Sequence, residues 1–167
     1  MNMGNRKFLI LSIAVIVMML AASCTSEPLS PKKVWDKTAD VSWFDDTKTE
    51  FLIETEEQLA GLAKLVNDGN EFEGITIKLG NDMDLNNEEW TPVGKPLADK
   101  EPYGNTDDKF YGFRGTFDGN GHTISNLKIY REKVEDNLNT NLSFIGLFGI
   151  IESGATIRNL TIENVDI

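Results

Sequence analysis

The side chains with the most capacity for chemistry in this chain are carboxylates. Asp118 follows Arg114 in an extended-looking stretch, and Asp82 and Asp84 precede it by one structural repeat. Carboxylates paired across a cleft, or a basic residue with a metal, would serve glycan cleavage. Asp82-x-Asp84-x-Asn86 also has the opening spacing of a calcium loop. An EF-hand needs glycine at its sixth position and a carboxylate at its twelfth. Those positions hold Asn87 and Val93, so an EF-hand is excluded. His122 is the single histidine and cannot build a multi-histidine metal site. Beside a glycine turn it reads as a solvent-facing strand residue. There is no His-Glu-x-x-His, Gly-x-Ser-x-Gly, P-loop or dinucleotide fingerprint. Asp118-Gly119-Asn120-Gly121 is accounted for as turn chemistry, since Gly and Asn accept positive φ. No catalytic residue, metal ligand or cofactor is therefore assigned.

Two other places could do chemistry of a milder kind. The polar stretch Lys95 to Lys109 carries Tyr103 with Asp99, Glu101, Asp107 and Asp108. An aromatic among acceptors can stack on a sugar ring and bond its hydroxyls, or meet a protein surface. These five residues are the candidate binding loop. The other place is Cys24, the only cysteine. It ends Leu20-Ala21-Ala22-Ser23-Cys24, after basic Arg6 and Lys7 and the apolar run Phe8 to Ala22. That run is short of the roughly 20 residues that span a bilayer and fits a signal peptide. The end of it resembles a bacterial lipobox, with Ala21 where leucine is commonest. Residues 1–23 are thus expected to be a lipoprotein signal peptide, and Cys24 the site of lipid attachment. Thr25 to Lys33 reads as a tether.

The elements that position these residues are strands. Phe113, Gly115 and Phe117 alternate with polar residues, and a glycine turn follows. In Thr123-Ile124-Ser125-Asn126-Leu127-Lys128-Ile129 the apolar parity changes, which requires a bend at Asn126 if all three apolar residues are buried. The pattern recurs. Gly115-Thr116-Phe117 is matched by Gly146-Leu147-Phe148, and Thr123 to Ile129 by Thr156 to Ile162 at a slightly longer displacement. A weaker copy is Thr76 to Leu79 with Met83 and Leu85. Such periods mark stacked repeats, and β-rich units stack as a solenoid. Ile124, Leu127 and Ile129 are then expected on Ile157, Leu160 and Ile162, with the bend asparagines forming amide ladders. Phe51-Leu52-Ile53 is a short strand, and Thr55-Glu56-Glu57-Gln58 after it is a capping box. The box opens a helix with Leu59, Leu62, Ala63 and Val66 on one face, stopped by Gly69. Placed before the first rung strand, Ile75 to Leu79, this helix would cover the end of the stack, with Trp35, Trp43 and Phe44 assisting.

The runs FLIETEEQLAGLAKLVNDG, NDMDLNNEEWTPVG, FRGTFDGNGHTISNLKI, IGLFG and ATIRNLTIENVDI together resemble bacterial surface proteins carrying the GLUG motif. Its G-L-x-G core is Gly146-Leu147-Phe148-Gly149. The resemblance covers residues 35–167. It implies an all-β fold, a right-handed parallel β-helix of about three rungs with one N-terminal capping helix. Residues 34–167 would be the N-terminal part of a longer β-helix domain. It also implies an exported lipoprotein of the outer membrane or cell surface of a Gram-negative bacterium. The motif also occurs upstream of the catalytic domain in IgA-specific metallopeptidases. It carries no shared catalytic residues. The expected function is adhesion or binding of a glycan or a host or cell-surface protein, without catalysis. The alternative is the noncatalytic stalk of a larger exported protease or glycan-degrading enzyme. Cleavage before Cys24 would remove Arg6 and Lys7 and move the formal charge from −11 to −13. An acidic surface argues against nucleic acid. Membrane association would come through the lipid.

Overall fold

Glu50–Ile53 (β1) alternates exposed and buried side chains, with Phe51 and Ile53 inside. The computed structural model describes residues 34–96, 110–130 and 145–167. All of them belong to one compact unit, Lys33–Ile167. Cys24 and the candidate loop residues Asp99, Glu101, Tyr103, Asp107 and Asp108 lie outside the described residues.

After β1 the chain enters helix Glu56–Asn67 (α1). Thr55 is its N-cap, accepting from the Gln58 N–H at 3.3 Å. The Gln58 side chain returns to the Glu54 N–H at 2.7 Å, one residue before the cap. At the other end Gly69 takes φ 106°. Its N–H reaches the Val66 carbonyl, and the Asn70 N–H reaches that of Leu65. This is the Schellman closure, and the left-handed position favours glycine. The helix therefore starts and stops where local sequence dictates. It does not precede the stack, as the sequence suggested. β1 already pairs with the next strand, so the helix is spliced between the first two strands of one sheet.

Thr76–Leu79 (β2), Thr116–Asp118 (β6) and Thr156–Arg158 (β8) continue from β1 as one parallel sheet in the order β1-β2-β6-β8. Their register aligns Phe51, Ile77, Phe117 and Ile157 in a column. Met83–Asp84 (β3), Thr123–Ser125 (β7) and Thr161–Glu163 (β9) form a second parallel sheet. Here Met83, Ile124 and Ile162 align. Single parallel bridges join Glu89 to Lys128 to Asp166, Val93 to Phe148, and Phe113 to Ile151. The antiparallel pair Lys95–Pro96 (β4) with Phe110–Tyr111 (β5) brackets the insertion. Among the described residues the fold is thus all-β, strands in mainly parallel sheets with one helix.

The bends fall on asparagine. Asn126, Asn159 and Asn164 have φ of 57°, 53° and 53°. The turn at Asn126 lets Ile124, Leu127 and Ile129 all be buried. Their amides do not ladder on one another, however. Asn126 Nδ2 donates to Asp84 at 2.7 Å and Asn159 Nδ2 to Asp118 at 3.0 Å. A carboxylate one pass earlier is the stronger acceptor.

The repeat register also needs correction. Ile124 pairs with Ile162, not Ile157, and the Lys128 to Asp166 bridge continues that alignment. The true partner of Thr123-Ile124-x-Asn126-Leu127-x-Ile129 is therefore Thr161-Ile162-x-Asn164-Val165-x-Ile167. Ile157 belongs beneath Phe117. Gly146-Leu147-Phe148 runs beside Val93 rather than Phe117, with hydrogen bonds from the Val93 N–H to Leu147 and from the Gly149 N–H to Val93.

An aromatic series fills one side of the interior. Trp43 and Phe44 pack on Phe51 at 5.2 and 5.5 Å between ring centroids. Phe44 meets Phe72 at 5.3 Å, Phe72 meets Phe113 at 6.1 Å, and Phe148 meets Phe113 and Phe117 at 5.3 and 5.2 Å. Of the aromatics before β1, Trp35 is thus in the core, and Trp43 and Phe44 are half-buried against it.

Candidate functional site

The carboxylates singled out by type are all engaged. Asp118 accepts from Arg158 Nε and Nη2 at 2.9 Å each, from Asn159 Nδ2 at 3.0 Å and from the Asn120 N–H at 2.9 Å. These donors, Asn159 first, hold its carboxyl below the usual aspartate range. Arg114 is not its partner. Arg114 instead reaches Glu71 at 2.8 Å, Glu73 at 3.5 Å and Glu152 at 3.9 Å, and the Glu71 bond pushes its guanidinium further up. Asp82 accepts from the Thr123 N–H and faces His122 Nδ1, both at 3.0 Å. Asp84 accepts from Asn126 and from the Asn86 N–H. So exposed Asp82 and half-buried Asp84 are both hydrogen-bonded, and His122 sits in the turn before β7 with its ring on a carboxylate. Each carboxylate joins one pass of the chain to the next. No group of three metal-ligating side chains occurs among the described residues. The proposed acid cluster is therefore a set of separate structural clasps.

The Asp118 clasp has a pH signature. A carboxyl lowered on folding stabilises the protein above the ordinary aspartate pKa of about 3.9, and that contribution is lost as pH falls through the folded value. Asp118→Asn should therefore lower the melting temperature at neutral pH. The gap between variant and parent should narrow as pH drops below about 4. Thermal melts across pH check this. A gap that stays constant into acid would show that the charge of Asp118 is immaterial.

A cleft of about 290 Å³ lies elsewhere, between α1, residues 35–39 and residues 89–95. Helical spacing puts Ala60, Ala63, Lys64 and Asn67 on one face of α1, and the two alanines leave room beside it. Trp35 and Trp90 form the floor, their rings 5.7 Å apart and tilted by 50°. Both indoles are fixed, Trp35 Nε1 to the Thr38 carbonyl and Trp90 Nε1 to that of Leu147, each at 3.0 Å. Buried Asn67 holds the far wall. It donates to the Pro92 carbonyl at 3.0 Å and accepts from the Gly94 N–H at 2.9 Å. The rim is charged. Lys37 lies 3.7 and 3.6 Å from Glu88 and Glu89, and Lys64 lies 2.6 Å from Asp68. Lys64, with Lys95, keeps the Asp68 carboxyl below its ordinary range. Three lysines thus converge on one cleft of an acidic chain. Sequence reading set Trp35 beside α1 as cover for the first rung but did not join it to Trp90 or to a cleft. The local signal was two small residues on the buried helix face.

No family model matches the chain, and no solved structure matches it. Among curated proteins it is similar to halomucin of Haloquadratum walsbyi, 36% identical over 67 residues. That match covers 40% of this chain and spans 1% of the length of halomucin.

Proposed function

We propose that this chain is a surface-anchored, noncatalytic binding module of the right-handed parallel β-helix type, about three rungs long and related to GLUG-motif proteins. Parallel register repeated in two sheets supports the β-helix reading. Lipid on Cys24 would tether it as a lipoprotein of a Gram-negative outer membrane or cell surface. Its ligand is a glycan or a host or cell-surface protein. One observation carries the reading. The carboxylates that could have acted as acid and base are spent on clasps, while the cleft offers apolar floor and polar rim together. Such a combination holds ligands by packing and a few placed hydrogen bonds. A volume near 290 Å³ suits one or two sugar units better than a protein segment.

The experiment is a screen of the full chain against glycans and host proteins, with two variants alongside. Lys64→Gln with Lys95→Gln removes the exposed rim charge and should abolish cleft binding, at only a small cost in melting temperature from the lost exposed Lys64–Asp68 pair. Replacing residues 97–108 by a glycine linker removes the candidate loop. Binding lost only in the second variant would move the site to the loop. Cleavage of a polysaccharide or peptide by the intact chain would overturn the noncatalytic reading. Membrane association that persists with unchanged mature size in Cys24→Ala would overturn the lipid anchor.

A further inference from the structure

The two ends of the α1 cleft differ in charge. At one end Lys37 stands between two carboxylates, Glu88 at 3.7 Å and Glu89 at 3.6 Å. At the other end the ratio is reversed, and Lys64 and Lys95 share the single carboxylate of Asp68. Lys64 takes that carboxylate at 2.6 Å. Lys95 is in no ion pair among the described residues, although its field helps to hold Asp68 low. This end therefore carries a positive charge in surplus, on a chain whose formal charge is −11.

Asn67 forms the wall at the same end and is only 6% exposed. Its amide cannot be turned round. The Gly94 N–H can only donate and the Pro92 carbonyl can only accept, so Oδ1 must face the first and Nδ2 the second. One hydrogen of Nδ2 is spent on Pro92. The other has no acceptor among the described residues. A buried donor needs a partner, which here is solvent or a ligand oxygen. The end of a helix ordinarily repels an anion through its free carbonyls. In α1 the closing turn uses them, with the Asp68, Gly69 and Asn70 N–H groups on the carbonyls of Lys64, Val66 and Leu65. Spare donors and spare positive charge thus meet in one corner of the cleft.

We propose that the cleft takes an acidic sugar, a hexuronic acid unit, with its carboxylate among Lys64, Lys95 and Asn67 and its ring on the Trp35 and Trp90 floor. This rests on the cleft being the binding site. The carboxylate accepts from the ammonium groups and from the second Asn67 amide hydrogen. Hydrogen bonds to an ionised acceptor are about twice as strong as neutral ones. A neutral sugar would bring a hydroxymethyl group to the same corner, adding one more donor where acceptors are lacking. Its ring hydroxyls find their acceptors at the other end, on Glu88 and Glu89. The cleft therefore orients an acidic ring, carboxylate toward the end of α1 and hydroxyls toward Lys37.

The test is calorimetric titration of the full chain, in mild detergent, with glucuronate and galacturonate disaccharides and with their carboxyl-reduced counterparts. Reduction turns each carboxylate into a hydroxymethyl group and leaves the ring alone. At least one acidic disaccharide should bind about tenfold or more tightly than its reduced counterpart at low salt. That advantage should shrink as added salt screens the lysines. Lys95→Gln should remove most of the advantage while changing affinity for the reduced sugar by no more than about twofold. Lys48→Gln removes an equal charge outside the cleft and is the control, expected to change neither. Circular dichroism confirms that each variant folds. Equal affinity for acidic and reduced sugars overturns the proposal and leaves the cleft reading in place. An acidic preference that Lys95→Gln does not diminish also overturns it, because the anion then binds elsewhere. Binding of neither kind of sugar overturns the proposal together with the sugar reading of the cleft.

Discussion

Gly61→Ala should destabilise the protein by about 2 kcal/mol, although alanine is the better helix former. Gly61 is in the interior of α1, where the exchange would ordinarily gain about 1 kcal/mol. Here a Cβ would fall 1.9 Å from the Asp40 carbonyl oxygen and 2.7 Å from its carbon. Those atoms are backbone and cannot swing aside. Relief requires residues 38–43 to lift from the helix, which breaks the Asp40 to Glu57 hydrogen bond and disturbs Trp43. Overpacking of this kind costs roughly 1–3 kcal/mol or more, enough to reverse the helix-propensity gain. Urea denaturation of parent and variant measures it. An unchanged or higher midpoint would mean that the N-terminal segment does not lie on α1.

The second large effect is expected at Phe117. Its side chain is fully buried, stacked between Ile77 and Ile157 in the sheet column and 5.2 Å from the Phe148 ring. Truncation to alanine removes an aromatic ring from the point where three passes of the chain meet. The cost should be about 3–5 kcal/mol, the range for buried phenylalanine. Leu52→Ala, on the exposed face of β1, serves as the control and should change stability by no more than about 0.5 kcal/mol. Similar small losses in both variants would contradict the register described for β2, β6 and β8.

The features read correctly from sequence are those determined within a few residues. The capping box at Thr55, the stop at Gly69, the alternation of Phe113, Gly115 and Phe117, and the bend at Asn126 each follow from local backbone chemistry. The inter-strand register does not. Thr-Ile-x-Asn occurs at Thr123, Thr156 and Thr161, the last two close together in the chain. Local pattern cannot choose between them, because each marks a bend after a short strand. The choice is made by hydrogen bonds to strands of the preceding pass, β6 for Thr156 and β7 for Thr161. The same limit explains Asp118. Arg114 lies on its strand face in sequence, yet four extended residues span roughly 13 Å, too far for an ion pair. The cation that reaches Asp118 is Arg158, on the next strand. The cleft is assembled from three separate segments, so of its lining the sequence singled out only Trp35 and Ala63, each as core, without showing that they meet.

The pairing distances along the chain also bear on polymer entropy. β1 meets β2 by pairing Glu50 with Thr76, across a stretch partly taken up by α1. The later links, Thr76 to Thr116 and Thr116 to Thr156, enclose more chain. Loop closure grows with the logarithm of length, so the first pair has the smallest closure penalty. Part of its span is also shortened by a helix with strong local start and stop signals. Each later strand must close a longer loop, but onto an edge that already exists. The entropy of closure therefore falls in sequential instalments, ordered from the amino terminus, the direction in which a ribosome delivers the chain.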